Sequence, residues 1–337
     1  MEQRYRYTYA VARIRYLEKE LLTKPFFHRL IEAPTFEDTK KLLQETVYGL
    51  SEEKEFDVLW EDETRRVSRI VRELMPEMRL TNFFGYGYDI FNLKVLFKNK
   101  LLAKRGLSKN WDVLVDMGTI PVDRLVSIVE NEIYEYLPFH RWDIAYLVKE
   151  LIAEMEKDTL DTRFVDLMWD KIYFKFLLQE AFASGEEFLV KYVKTLIDTT
   201  NILTFFRLRV RDEEKSYLAT VLIDGGMVDT DKFVDNYQEN LDGVVKALAY
   251  SPYGKLIAEA VSSFEESRNL SVLERQVDNY LVSFVDRCRY VMFGIEPIVA
   301  FWVAKDIEIK NLRIIITGKR AGIPDELLKE RLRDVYA

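Results

Sequence analysis

The side chains best suited to chemistry in this 337-residue chain are few and scattered. One cysteine, Cys288, stands between Arg287 and Arg289, where positive charge would lower a thiol pKa. A lone cysteine excludes an internal disulfide, and this one has no local catalytic signature, so it reads as a structural thiol. The two histidines, His28 and His140, suggest neither a triad nor a metal-ligand spacing. Gly85 and Gly87, in Asn82-Phe83-Phe84-Gly85-Tyr86-Gly87-Tyr88-Asp89, lack a preceding strand pattern and the third glycine of a dinucleotide loop. Thr317-Gly318-Lys319-Arg320 lacks the upstream glycine and the hydroxyl residue after lysine that a phosphate loop needs. Gly318 reads instead as a helix stop, with Lys319 and Arg320 at the negative helix end. The acidic pairs Glu37-Asp38 and Glu61-Asp62 lie on highly charged helices and read as solvated surface. The expectation is a chain with no catalytic, cofactor-binding or metal-binding residues.

What organises the chain is a repeated stretch. Asp89-Ile90-Phe91-Asn92-Leu93-Lys94-Val95-Leu96-Phe97-Lys98 returns as Asp198-Thr199-Thr200-Asn201-Ile202-Leu203-Thr204-Phe205-Phe206-Arg207, and again as Glu308-Ile309-Lys310-Asn311-Leu312-Arg313-Ile314-Ile315-Ile316-Thr317. The interval from Asn92 to Asn201 matches that from Asn201 to Asn311 to within a single position. In the first copy Lys94 and Lys98 share one face at i, i+4 while apolar residues cover much of the rest. That is the pattern of a helix buried among other helices, so the copies read as the core helices of three related units.

Other echoes keep the period. Trp60 in Phe56-Asp57-Val58-Leu59-Trp60-Glu61-Asp62 and Trp169 in Val165-Asp166-Leu167-Met168-Trp169-Asp170 are separated by the same interval as Asn92 and Asn201. Leu273-Glu274-Arg275-Gln276-Val277-Asp278 keeps only the acid. A bulky anchor beside an acid needs no chemistry to explain it. Gly118 and Gly226 each read as closing a helix before an acidic segment opens the next. Thr46-Val47-Tyr48-Gly49 resembles Ser251-Pro252-Tyr253-Gly254. A helix is expected over residues 9–22, ended by Pro25, another capped by Thr35 with Asp38, and another after Trp111. A period this long indicates duplicated domains rather than a solenoid of short repeats, and the units are placed at 1–117, 118–225 and 226–337.

Composition agrees with an all-α fold. Apolar content of 48% fills cores of this size, while 13 glycines and 8 prolines favour long helices over many short turns. A net charge of −8 argues against nucleic acid as a partner. The N-terminus leads into no apolar signal core. The most apolar run, 290–304, carries Glu296 and Pro297 and is too short to span a bilayer, which points to a cytoplasmic chain with no transmembrane segment.

The stretch from Gly294-Ile295-Glu296-Pro297 through Asp306-Ile307-Glu308-Ile309-Lys310-Asn311 to Thr317-Gly318-Lys319, continued by Ile323-Pro324-Asp325-Glu326-Leu327, strongly resembles the C subunit of archaeal and bacterial A/V-type ATPases. That family includes the d subunit of eukaryotic V-ATPases. Tyr9-Ala10-Val11-Ala12-Arg13-Ile14-Arg15 is similar to its opening helix, and Thr46-Val47-Tyr48-Gly49 to its Thr-Pro-Tyr-Gly turn, with valine in place of proline.

The resemblance implies three similar helical domains in a pseudo-threefold funnel. It implies a non-catalytic rotor subunit, peripheral to the membrane, seated between a central shaft of the D and F subunits and the membrane proteolipid ring. Arg313, Lys319 and Arg320, in the best-matched stretch, and Tyr86 and Tyr88 are the candidate partner contacts. Two rival readings are a helical scaffold outside any rotary machine, which specific assembly with the D–F shaft excludes, and a small-molecule enzyme, which intrinsic turnover by the isolated chain would reveal.

Overall fold

The computed structural model describes residues 6–49, 56–107, 110–139, 144–157, 162–267 and 270–336. Every regular element among them is helical. In chain order they begin with α1 (Thr8–Leu17), α2 (Lys24–Glu32), α3 (Phe36–Gln44) and α4 (Phe56–Leu74). There follow α5 (Met78–Thr81), α6 (Tyr86–Lys104), α7 (Val122–Glu130), α8 (Ala145–Met155), α9 (Thr162–Ser184), α10 (Glu187–Val210), α11 (Lys215–Val221) and α12 (Thr230–Asp235). The chain ends with α13 (Leu241–Leu248), α14 (Gly254–Ser267), α15 (Leu270–Asp286), α16 (Glu296–Arg320) and α17 (Asp325–Arg331). They fall into two compact units, one drawn from residues 1–76 and 239–337, the other from 77–238.

The three repeated stretches lie on the long helices α6, α10 and α16, of 19, 24 and 25 residues. Each buries residues around most of its circumference, as the apolar pattern requires. In the first unit α16 packs against α1, α2, α4, α15 and α17. Phe27, Leu30 and Ile31 of α2, Leu59 and Trp60 of α4, and Ile309, Leu312, Ile315 and Ile316 of α16 share one core. In the second unit α6 and α10 both pack on α9. There Phe97 meets Trp169 edge-on at 5.0 Å, and Phe176 meets Phe139 at 4.9 Å, a geometry that aromatic quadrupoles favour.

The echoed tryptophans are core anchors, Trp60 and Trp169 both being buried. The acidic neighbours of Trp169 pair with lysines of a core helix: Asp170 and Asp166 meet Lys94 and Lys98 of α6, each at 2.6 Å. Asp278 of α15 likewise meets Lys310 of α16 at 2.9 Å. The two similar turns are built alike. Thr46 Oγ1 donates to Leu43 O and accepts from Tyr48 N; Ser251 Oγ donates to Leu248 O and accepts from Tyr253 N. Valine in place of proline leaves this bonding intact.

Several boundaries differ from the sequence expectation. The first helix ends at Leu17, passes through a 3-10 turn at Glu18–Glu20, and Pro25 lies in the first turn of α2, where its missing N–H costs nothing. Thr35 caps α3 as expected, accepting from Asp38 N at 3.1 Å. No helix follows Trp111; residues 110–120 are held by side chains of α6 instead. Gly318 lies inside α16. The helix stops at Gly322, with φ +67°, where Ile323 N donates back to Gly318 O at 2.9 Å.

Candidate functional site

The repeat has one polar function, performed three times. An acid and an asparagine three residues apart occupy one face of each core helix: Asp89 and Asn92 on α6, Asp198 and Asn201 on α10, Glu308 and Asn311 on α16. Each asparagine grips the backbone of a single residue farther along the chain. Asn92 donates to Val115 O at 2.8 Å and accepts from Val115 N at 2.9 Å. Asn201 makes the same pair with Ile223, at 2.8 and 2.9 Å, and Asn311 with Arg333, at 3.0 and 2.9 Å. An amide side chain carries both a donor and an acceptor, so it satisfies both backbone groups of a segment that has left helical pairing.

The acids take up free N–H groups just ahead of a helix start, α7 and α12 for the two aspartates and α2 for Glu308. Asp89 accepts from Thr119 N at 2.9 Å, Ile120 N at 3.1 Å and Thr119 Oγ1 at 2.5 Å. Asp198 accepts from Met227 N at 2.7 Å and Val228 N at 3.2 Å. Glu308 accepts from Leu22 N at 2.5 Å. Ile120, Val228 and Leu22 are each followed by an N-cap residue, Pro121, Asp229 and Thr23, and then by α7, α12 and α2.

This geometry corrects the role given to Gly118 and Gly226, neither of which closes a helix. A Cβ at Gly118 would lie 2.1 Å from Asp89 Oδ1, and one at Gly226 1.9 Å from Asp198 Oδ1. The short aspartate reaches its N–H groups only if the backbone comes this close. Glu308 is one methylene longer, and no glycine precedes Leu22 at the matching position.

Around Glu308 lies a buried ion cluster. Lys305 Nζ, whose residue is 1% exposed, meets Glu308 Oε1 at 2.7 Å and Glu63 Oε1 at 2.8 Å. Tyr48 Oη donates to Glu308 Oε1 at 2.6 Å, and Arg66 bonds Glu63 at 2.7 Å and Glu20 at 3.1 Å. Burial pushes the Glu63 carboxyl up, but hydrogen bonds from Arg66 and Lys305 outweigh it and hold the group below its ordinary range. Burial, with the negative charges of Glu308 and Glu63, drives the Tyr48 hydroxyl well above its ordinary value. Each charge is thus paired and hydrogen-bonded, which a buried ion requires. The arrangement joins residues 20–66 to α16; it presents no activated nucleophile.

Cys288 is buried, and burial, reinforced by the charge of Glu296, pushes its thiol up to about 12 against the opposing effect of Arg15. His28 is half-buried on α2, and His140 lies outside the described residues. Among the described residues there is no group of three histidine, cysteine or acidic side chains placed to hold a metal ion.

The five candidate contact residues are dispersed. Tyr86 and Tyr88 lie on α6, Tyr86 buried edge-on against Phe176 at 4.8 Å and Tyr88 half-buried. Lys319 donates to Ala33 O at 2.9 Å and pairs with Asp325 at 3.1 Å. Arg320 lies over the rings of Phe36 and Phe56, at 5.2 and 4.9 Å. Arg313 alone of the five faces solvent with neither an ion pair nor a ring contact among the described residues, and it lines a cleft with Arg275, Arg331 and Arg333. Sequence reasoning missed both that cleft and the Lys305 cluster. The signal for the cluster was a lysine and an acid three residues apart, flanked at helical spacing by Phe301, Ala304, Leu312 and Ile315.

Fold and site together define an all-helical protein built on a repeated core-helix motif whose buried polar groups bond its own backbone. The chain belongs to the ATP synthase (C/AC39) subunit family, whose pattern it matches over residues 10–331. It is 28% identical to the C subunit of the V-type sodium ATPase of Enterococcus hirae, over 96% of this chain and 97% of that one. It is 25% identical to the C subunit of the A-type ATP synthase of Methanocaldococcus jannaschii, over 97% and 86% of the two chains. The corresponding protein of Thermococcus gammatolerans is 26% identical over 98% and 91%.

Proposed function

We propose that this chain is a non-catalytic central-stalk subunit of an A/V-type rotary ATPase or ATP synthase, linking a shaft of the D and F subunits to the membrane proteolipid ring. The observation that carries this reading is the family match along residues 10–331, with relatives named for such complexes aligned over most of their own length. In this reading the chain is peripheral to the membrane and held there by its partners. Among the described residues no helix is long and apolar enough to cross a membrane. Residues 1–117, 118–225 and 226–337 act as three repeats, a division supported by the acid–asparagine pair used three times.

A part that passes torque must not yield internally. Here each core helix is tied to the segments it organises by charged or paired hydrogen bonds, each worth about 1–3 kcal/mol. Catalysis of ATP turnover falls to other subunits. Arg313 is the candidate contact free to meet a partner directly; Lys319 and Arg320 act by fixing α16 against α2–α4, and Tyr86 and Tyr88 by fixing α6.

The test is co-purification of the isolated chain with a D–F shaft and, separately, with detergent-solubilised proteolipid ring, at low and moderate salt. One-to-one binding to the shaft together with binding to the ring is the expected result. Binding to neither by a folded helical sample, or ATP hydrolysis by the isolated chain, overturns the reading.

A further inference from the structure

A cleft of about 610 Å³ opens between α15, α16 and the end of α17. Its walls carry four guanidinium groups, from Arg275, Arg313, Arg331 and Arg333, against one carboxylate, Glu330. That concentration of positive charge stands out in a chain whose net charge is −8. Its floor includes Val272, Ile314 and Ile323.

The four arginines divide into two kinds. Arg333 is anchored: its Nε bonds Asp278 at 3.0 Å, and Nη1 donates to Arg331 O at 3.1 Å. Arg275 is turned into the cleft by a hydrogen bond to Glu330 O. Arg313 and Arg331 are exposed and make no hydrogen bond or ion pair from their side chains to the described residues. A fixed pair of cations is thus flanked by two that remain available.

The walls are held before any partner arrives. A Cβ at Gly318 would lie 2.2 Å from Leu328 Cδ2, so glycine is what lets α17 lie directly on α16. Asn311 then grips the backbone of Arg333 with two hydrogen bonds, setting where the chain leaves α17. A preformed wall lowers the ordering cost of binding.

We propose that this cleft docks an acidic, amphipathic segment of a protein partner. Carboxylates pair with Arg313 and Arg331 in the two-pronged geometry that guanidinium favours, and apolar side chains between them cover the floor. A small inorganic anion would use the charge and leave Val272, Ile314 and Ile323 uncovered, so the mixed lining favours a polypeptide. This proposal rests on the reading that the chain works by binding partner subunits.

The experiment measures binding of a fluorescent helical peptide of alternating glutamate and leucine blocks to the full chain, beside the same peptide with lysine for glutamate. The wild-type chain is expected to bind the acidic peptide, at least tenfold more weakly in R313E/R331E, and more weakly as salt rises. The lysine peptide should not bind the cleft, and R124E, a reversal of an exposed arginine elsewhere, should leave the acidic peptide's affinity unchanged. R313E alone guards against a folding defect of the double variant and should weaken binding by an intermediate factor. No binding by the wild-type chain, equal binding by R313E/R331E, or capture of tripolyphosphate in place of the peptide overturns the proposal. Shaft binding is measured in the same samples. A wild-type chain that ignores the shaft yet binds the peptide through these arginines sinks the rotor reading and leaves the cleft standing. Shaft binding with peptide affinity indifferent to both arginines does the reverse.

Discussion

Glu308 Oε2 accepts the backbone N–H of Leu22 at 2.5 Å, across 286 residues of chain. The same carboxylate holds Lys305 and Tyr48, so one side chain of α16 fixes three groups, two of them in residues 1–76. Replacing Glu308 by glutamine removes the charge opposite Lys305 while keeping the shape. Lys305 keeps Glu63 at 2.8 Å, so the midpoint of urea denaturation should fall only modestly. K305M should lower it further: Glu63 keeps Arg66, but Glu308 is left buried with no cation, which costs about 3–5 kcal/mol.

The asparagine grips are expected to behave alike. Asn201→Ala leaves both backbone groups of buried Ile223 unpaired, a loss of about 1–3 kcal/mol for each. Hydrogen exchange at the Ile223 amide should accelerate before that of the α10 interior. An Ile223 amide as slow as in the wild type would show that the grip does not hold the segment.

Gly226→Ala sets a methyl group 1.9 Å from Asp198 Oδ1 and must push the carboxylate away from Met227 and Val228. Asp198→Ala removes that obstacle. The destabilisation caused by G226A should therefore be smaller in a D198A background, and a double-mutant cycle should return a coupling of about 0.5–3 kcal/mol. Additive effects would mean that the glycine serves the turn alone.

The pH dependence follows from Glu63. Its folded pKa lies below the ordinary 4.5, so the unfolded chain binds the proton more readily. The stability this group contributes is complete above about 4.5 and is lost as pH falls through the lower folded value. Thermal melts between pH 7 and pH 3 should show a shallower acid decline for Glu63→Gln than for the wild type, from a lower starting point at pH 7.

Asp212 ends α10 with φ 54°, at the position where α16 has Gly322 and α6 has Gly106, and the same back-bond closes all three helices. Asp212→Gly relieves a left-handed conformation and should stabilise the chain by up to about 1 kcal/mol. The readout is the melting temperature.

Much of the fold was readable because helical periodicity and repetition are both properties of position along the chain. The acid–x–x–asparagine spacing marked α6, α10 and α16; the tryptophan echo marked α4 and α9. The partners of that spacing were not readable. Val115, Ile223 and Arg333 contribute only backbone to the grips, and backbone carries no residue-type signal. Gly118 and Gly226 showed up as punctuation, yet their reason is a carboxylate far upstream, Asp89 for the one and Asp198 for the other. Gly318 misled because a glycine near a basic pair resembles a helix end; its real neighbour is Leu328. For the contact candidates, sequence position ranked Lys319 and Arg320 with Arg313, whereas a carbonyl holds the first and ring faces the second.

The first compact unit draws on residues 1–76 and 239–337, and Tyr336 Oη donates to Glu18 at 3.1 Å. During synthesis, then, the earliest helices emerge without the surface they are built to cover. At ordinary elongation rates Phe27, Leu30 and Trp60 wait roughly 10–50 s for α16 to leave the ribosome, while residues 77–238 have everything their own unit needs. The order in which the two units can be completed is therefore inverted relative to translation: the middle of the chain has all its residues first, and the beginning is completed by the end.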